Sequence, residues 1–328
     1  MKLMVIYEKE IRQTITQDEA LMAIEQAFAD YAQGKAVVPE IIALNIPESK
    51  GEVHLKGAHI KNYEFFAFKV ASGFYDNPSK GLPVGSGMML LFNAETGFPV
   101  CLLFDNGYLT NLRTGAAGGV AAKYLAKQDI NQVGIIGSGS QGRFQLHALS
   151  RIKSFSRVKL WGIPPESIER YIKDMQPLIE AKIEGARTIQ QAVKGSDLVI
   201  TVTPSKQPLV KSEWVKQGAH ITAVGSDEPE KQELEASLLG RADKVVADSL
   251  SQCIRRGEIH HAVEEGLMKP EDVYAELGEI VIGRKPARES SEEITICDLT
   301  GVGVQDLAIA SLAYKKAIEK GFGSFLEI

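Results

Sequence analysis

The run Gly137-Ser138-Gly139-Ser140-Gln141-Gly142 is the pattern G-x-G-x-x-G. It directly follows the apolar segment VGIIG (133–137) and opens a stretch of helical character. In that setting each glycine has a physical reason to be there. Gly137 allows a tight turn, Gly139 a close approach of backbone to a pyrophosphate, and Gly142 close packing of helix on strand. The helix start adds free N–H groups and partial positive charge. The chemistry implied is the holding of a dinucleotide. Two further charges stand out. Lys69 lies within the apolar strand FFAFKVASGF, and Arg113 lies at the head of the small-residue stretch LTNLRTGAAGGVAAKYLA (109–126). A charge in such company is costly unless it is paired. The structural alternatives are a lysine on an edge strand pointing to water and an arginine in an ion pair that only holds the fold.

The elements around these residues fall into two patterns. Thr16-Gln17-Asp18-Glu19 reads as a capping box for a helix that runs to Gly34. Short apolar runs broken by Gly, Pro, Asn and Asp over 37–105 predict a mostly antiparallel sheet. From 131 onward short buried strands (133–137, 158–162, 198–203, 220–225, 244–249) alternate with helical stretches near 140–151, 165–182 and 230–240. That alternation predicts a doubly wound parallel sheet of the α/β class. A further strand, ITICDL (294–299), precedes a helix over about 304–319, and RKPARESSEE (284–293) reads as an exposed loop.

The bulk numbers exclude several classes. At 328 residues the chain fits two domains. A net charge of −5 with signs scattered gives no footprint for nucleic acid. Cys101, Cys253 and Cys297 are far apart and odd in number, which argues against disulfides and zinc and fits a reducing cytoplasm. No apolar run reaches the ~20 residues of a membrane helix, and the start reads as no leader peptide. No metal is expected: none of the six histidines has ligand spacing with a carboxylate, and His260-His261 reads as a helix-surface pair.

Four blocks, DNGYLTNLRTGAAGG (105–119), GIIGSGSQGRFQ (134–145), GSDEPEKQEL (225–234) and CDLTGVGVQD (297–306), occur in that order. Together they resemble the ornithine cyclodeaminase/μ-crystallin family over nearly the whole chain. DNGYLT and GEVHLKGAH are most similar to its ectoine-utilisation and iminosuccinate reductase branch. The resemblance implies a Rossmann domain (126–302) inserted into a smaller α/β substrate-binding and dimerisation domain (1–125 with 303–328), and a homodimer. It implies NAD or NADP as cofactor and a small amino or imino acid as substrate. The reaction it implies is reduction of a 2-imino acid or dehydrogenation of an amino acid. A redox-neutral cyclodeaminase and a non-catalytic binding protein are the alternatives.

The resemblance also distributes roles. Lys69 and Arg113 correspond to carboxylate-binding residues, Lys69 doubling as proton donor, and Asp227 to the residue that serves the substrate nitrogen. Thr110, Thr203 and Pro204, Val224 and Ser226, and the turn Asp298, Thr300, Gly301 would line the cofactor. Capping of a helix near Glu230 is the structural alternative for Asp227, and capping of the last helix is that for Asp298 and Thr300. Many members carry an arginine where this chain has Val38-Pro39-Glu40; Lys56 is the cation that could replace it, which would suit a dicarboxylate. His54 shares the strand face of Lys56. The acid expected about 20 residues beyond the glycines to hold a ribose 2′-OH is missing from Leu160-Trp161-Gly162-Ile163-Pro164, with Glu166 the nearest, so NAD and NADP both stay open.

Overall fold

The structure, a computed structural model, describes residues 2–327. It divides into two compact units, Met1–Arg113 with Val302–Ile328, and Thr114–Gly301. The first division falls inside the helix Tyr108–Leu125, earlier than the sequence boundary at 125/126. The physical reason is in the small residues of that helix. A Cβ on Gly115 would come within 2.7 Å of the Phe144 carbonyl oxygen, and one on Gly118 would collide with the Gln145 amide. Close packing on the helix Ser140–Ile152 therefore draws the rest of that helix, from Thr114 on, into the second unit.

The first unit is built on an eight-stranded sheet. Its order runs Ser324–Glu327, Lys2–Tyr7, Pro99–Phe104, Gly85–Asn93, Phe65–Phe74, Gly51–Ile60, Ala36–Val37, and Ile42–Ile46 pairs with Gly51–Ile60 as well. The long hairpins of residues 51–104 are antiparallel, as their turn signals predict. The two strands at the chain ends were not predicted: Lys2–Tyr7 runs parallel to Pro99–Phe104 and antiparallel to Ser324–Glu327. Helices Gln17–Ala32 and Gly303–Lys320 contribute the buried faces Ala20, Leu21, Ile24, Phe28 and Val304, Leu307, Ala308, Ile309. Thr16 and Glu19 form the predicted capping box. The last helix starts hard against the sheet, because Gly303 has no side chain: a Cβ there would be 2.2 Å from the Gly57 carbonyl oxygen.

The second unit is a doubly wound parallel sheet in the order Lys182–Gly185, Arg157–Trp161, Gln132–Ile136, Leu198–Thr201, His220–Ala223, Thr295–Asp298, Lys244–Ala247, Ala275–Glu276. The chain turns from one half of the sheet to the other between Gln132–Ile136 and Leu198–Thr201, which places the glycine loop at the switch point where such sheets bind ligands. Two helical stretches are shorter than the sequence suggests. The one from 165 ends at Met175, and residues 182–185 form an edge strand. At 230–240 the chain makes the strand Gln232–Leu234, parallel to Lys206–Val210, before the helix Ala236–Arg241. The 284–293 segment is exposed over much of its length but anchored by Arg288, which donates to the carbonyls of Leu125 and Glu293. His260 and His261 are half-buried rather than on the surface, and His261 Nε2 lies 2.8 Å from the Lys231 carbonyl oxygen. Among the described residues, no helix is long and apolar enough to cross a membrane.

Candidate functional site

In the first unit, Lys69 sits on an interior strand, hydrogen-bonded on both sides, and is 2% exposed. An edge-strand lysine reaching for water is thereby ruled out. Lys56 is its direct cross-strand partner and is 7% exposed. Arg113, 4% exposed, comes from the second turn of the helix Tyr108–Leu125. One carboxylate, Asp306 in the first turn of Gly303–Lys320, meets two of the three cations: Oδ1 lies 3.1 Å from Lys69 Nζ and 3.0 Å from Arg113 Nε. Arg113 also donates through Nη1 to Gln305 Oε1 at 2.8 Å. Sequence reading missed Asp306 and Gln305, although VGVQDLAIA sets a charge among apolar residues just as FFAFKVASGF does.

The charges perturb one another. Burial, then the positive charges of Arg113 and Lys56, push Lys69 down to about 7, with Asp306 opposing. Asp306 is held below its usual value: burial pushes it up, but Arg113, Lys69 and Lys56 outweigh that. Asp105, also missed, caps the helix Tyr108–Leu125 by accepting the Leu109 N–H at 2.8 Å; burial raises its pKa, and the charge of Lys69 pulls the other way. His54 is buried two residues from Lys56, on the same strand face. Glu40 is exposed. Thr110 is half-buried in the first turn of the same helix as Arg113. This arrangement can grip an anion and hold a transferable proton at neutral pH.

In the second unit, the glycine loop has the backbone its pattern implies. Gly137 has φ +124°, a conformation that side chains disfavour. A Cβ on Gly142 would lie 2.4 Å from the Gly137 carbonyl oxygen, whereas nothing lies within 4 Å of one on Gly139. Turn and helix are thus packed, with open space above the middle glycine, and Ser140 and Gln141 begin the helix Ser140–Ile152. Such a cradle fits a pyrophosphate. Ser138 is buried against Gly162 and meets Ser167 Oγ at 2.5 Å. Arg143, which sequence reading passed over, braces the loop by donating to the carbonyls of Ser138 (2.6 Å) and Gly139 (3.1 Å). Past the Arg157–Trp161 strand, Ile163 is exposed where an acid was sought.

The remaining candidates gather at the carboxyl ends of the parallel strands. Thr203 and Pro204 follow Leu198–Thr201; Val224, Ser226 and Asp227 follow His220–Ala223. Asp227 is part-exposed and pairs with Lys231 Nζ at 2.9 Å. It caps no helix, since the next helix begins at Ala236 with Glu235 as its cap. Asp298 turns its carboxylate inward, where Oδ2 accepts the Ile259 N–H at 2.9 Å, and burial raises its pKa well above the usual value. Thr300 and Gly301 donate to the two oxygens of Asp248 at 3.0 and 2.6 Å. None of these three caps the last helix, whose cap is Val302.

A doubly wound sheet with a glycine cradle at its switch point, in a chain that also buries a cation cluster, defines a nucleotide-dependent enzyme architecture. The chain belongs to the ornithine cyclodeaminase/mu-crystallin family, whose model matches residues 1–321. It is 39% identical to an archaeal alanine dehydrogenase dimer solved with NAD bound, with a TM-score of 0.92 and full coverage of both chains. It is 32% identical to the Δ1-pyrroline-2-carboxylate reductase of Thermococcus litoralis in complex with NADH and L-proline (TM-score 0.94, covering 98% of this chain and 99% of that one). It is also 32% identical to the iminosuccinate reductase of Paracoccus denitrificans in complex with NAD+ (TM-score 0.91, both chains covered in full).

Proposed function

We propose that the protein is an NAD(P)H-dependent imine reductase or amino-acid dehydrogenase acting on a small 2-imino (2-oxo) acid. The observation that carries this reading is the cluster of Lys56, Lys69 and Arg113 around Asp306, all buried. Cations gathered out of water at such a cost imply an anionic ligand. Arg113 binds the carboxylate beside the imine carbon, and Lys56 binds a second carboxylate where the substrate carries one. With three cations at hand, a dicarboxylate such as iminosuccinate fits as well as a monocarboxylate.

Reduction of an imine carbon takes one hydride and one proton. The coenzyme, when bound, supplies the hydride. The chain's residues do the rest. Gly137–Gly142, with Ser138, Ser140 and Gln141, would hold the pyrophosphate; Thr203, Pro204, Val224, Ser226, Asp298, Thr300 and Gly301 would line the rest of the coenzyme. Lys69, with a pKa near neutrality, gives its proton to the imine nitrogen in reduction and takes one back in the reverse direction. Asp227 stabilises the iminium that this proton transfer forms. The second unit, Thr114–Gly301, acts as the coenzyme domain, and the first, Met1–Arg113 with Val302–Ile328, as the substrate and dimerisation domain.

The same reading includes a homodimer. Phe66 stacks on Phe92 at 5.0 Å, and Phe68, 41% exposed, packs edge-on against both. These rings lie on the sheet face opposite Phe65, Ala67 and Lys69. A second copy covering that aromatic face makes the assembly, and Phe68→Glu converts it to monomer in sedimentation equilibrium.

The test of function is oxidation of NADH and of NADPH with oxaloacetate plus ammonia, pyruvate plus ammonia, and Δ1-pyrroline-2-carboxylate. Turnover with one of these that disappears in Lys69→Ala supports the reading. Ammonia release from ornithine with no net coenzyme oxidation moves the assignment to a cyclodeaminase.

A further inference from the structure

The parallel-sheet unit contains buried carboxylates to which the proposed reaction assigns no proton transfer. Glu233, Glu258 and Asp298 are each 1% exposed or less. Backbone N–H groups are prominent among their hydrogen-bond partners. Glu258 accepts the N–H of Glu233 at 2.8 Å on one oxygen and that of Leu234 at 3.0 Å on the other. Glu233 accepts the Thr203 N–H at 2.5 Å on Oε1 and the Gly225 N–H at 2.8 Å on Oε2. These two amides belong to different loops, one after the strand Leu198–Thr201 and one after His220–Ala223. The loops run so close that a Cβ on Gly225 would lie 2.2 Å from the Thr203 carbonyl oxygen.

We propose that Glu233 is a positioning residue for the coenzyme and for Asp227: its single carboxylate fastens together the two loops that carry Thr203-Pro204 and Gly225-Ser226-Asp227. The proposal rests on the coenzyme reading above. Ligands of open parallel sheets bind at the carboxyl ends of the strands, where both fastened amides lie. Asp227 is two residues beyond one of them and Pro204 one residue beyond the other. Helix Glu258–Glu264 fixes the short strand Gln232–Leu234 through Glu258, and that strand fixes the Glu233 side chain. An ionised carboxylate can accept on both oxygens. A glutamine of the same shape accepts on one and points its NH2 group at the other N–H.

The groups facing Glu233 are Glu258 from its helix and the Thr201 and Thr203 hydroxyls, with Asp298 beyond Glu258. Burial pushes Glu233 up to about 7 against the hydrogen bonds that favour its charge. The doubly accepting form therefore fills as pH rises through neutrality.

The test is a fluorescence titration of NADH and NADPH on the full-length wild type and on Glu233→Gln between pH 6 and 9, with thermal melting alongside. The wild type should bind a coenzyme more tightly as pH rises through neutrality. At pH 8 the variant should bind it at least tenfold more weakly, without that pH dependence, and melt no lower than the wild type because it buries no charge. Wild-type affinity in the variant at pH 8 overturns the proposal. So does a lowered melting temperature with an unchanged pH profile, which marks a purely structural role. If Glu233→Gln does not fold, a wild-type affinity that is flat from pH 6 to 9 overturns it. A wild type that binds neither coenzyme overturns the coenzyme reading itself, a result distinct from all of these.

Discussion

Asp306→Asn should move the pH profile of catalysis without changing the shape of the site. Asp306 Oδ1 lies 3.1 Å from Lys69 Nζ, and both groups are buried. At an effective dielectric constant of about 20, a pair at that distance attracts by roughly 5 kcal/mol. At about 1.4 kcal/mol per pKa unit, that is an upper bound of three to four units on Lys69. Lys69 already stands at about 7, lowered by burial and by Arg113 and Lys56, with Asp306 the opposing charge. Asparagine keeps the volume and removes that charge, so the lysine should fall by at least about two units. If protonated Lys69 gives its proton to the imine nitrogen, kcat/KM for imine reduction falls above pH 7 in the wild type. In the variant it falls from about pH 5, and at pH 7.5 the loss is about a hundredfold. The assay is initial-rate oxidation of the preferred coenzyme over a series of ammonia-derived imine concentrations between pH 5 and 9, with coenzyme affinity as the control for folding. A basic limb that stays near 7 in Asp306→Asn refutes the assignment of that limb to Lys69.

Three further substitutions probe the glycine turn, the cation cluster and the buried carboxylates. Gly142→Ala sets a methyl 2.4 Å from the Gly137 carbonyl oxygen and should cost about 1–3 kcal/mol, read as a lower melting temperature and weaker coenzyme binding; an unchanged melt would mean that the turn can open freely. Lys56→Met keeps the length of the side chain and removes one cation. It should cut kcat/KM for a dicarboxylate imine tenfold or more while sparing the imine of pyruvate, and equal losses on both would deny Lys56 any part in selecting a second carboxylate. Glu233, Glu258 and Asp298 all have native pKa values raised by burial, so the folded chain keeps protons that the unfolded chain has released. Their contribution to stability is full below the unfolded values near 4.5 and 3.8 and is lost as pH rises; for Glu233 that loss is complete above about 7. Urea denaturation across pH 5–8 should show a shallower decline in Glu233→Gln than in the wild type.

What could be read from sequence depended on whether the constraint on a residue is local. The glycine loop was legible because its constraint is on its own backbone: Gly137 needs a positive φ and Gly142 needs empty space, and only one residue type meets either need. Lys69 was legible because its neighbours along the strand are apolar. Asp306 carried the same signal and was passed over, since it lies in the first turn of a helix where an acid is ordinary. Glu233 carried none: it sits in a three-residue strand, and the amides it holds are 30 and 8 positions away in the chain. The strand Lys2–Tyr7 is apolar but short, and its partners lie near 101–104 and 324–327. Local periodicity cannot supply contacts of that separation. It also led the helix near 165 too far, because KIEG (182–185) is an edge strand with one buried apolar side chain.

The pairing of Lys56 with Lys69 bears most directly on function. Directly opposed residues on antiparallel strands have Cβ atoms about 5 Å apart, and like charges there are destabilising. The neighbouring pairs on the same two strands, Leu55 with Val70 and Ala58 with Ala67, show what the sheet does where packing alone decides. Replacing the two lysines with such residues would relieve repulsion and remove two buried charges, so stability gives no reason to keep them. Asp306 answers Lys69 and Arg113 through the same oxygen, Oδ1. A carboxylate-bearing substrate, as proposed above, gives the opposed lysines a reason that fold stability does not.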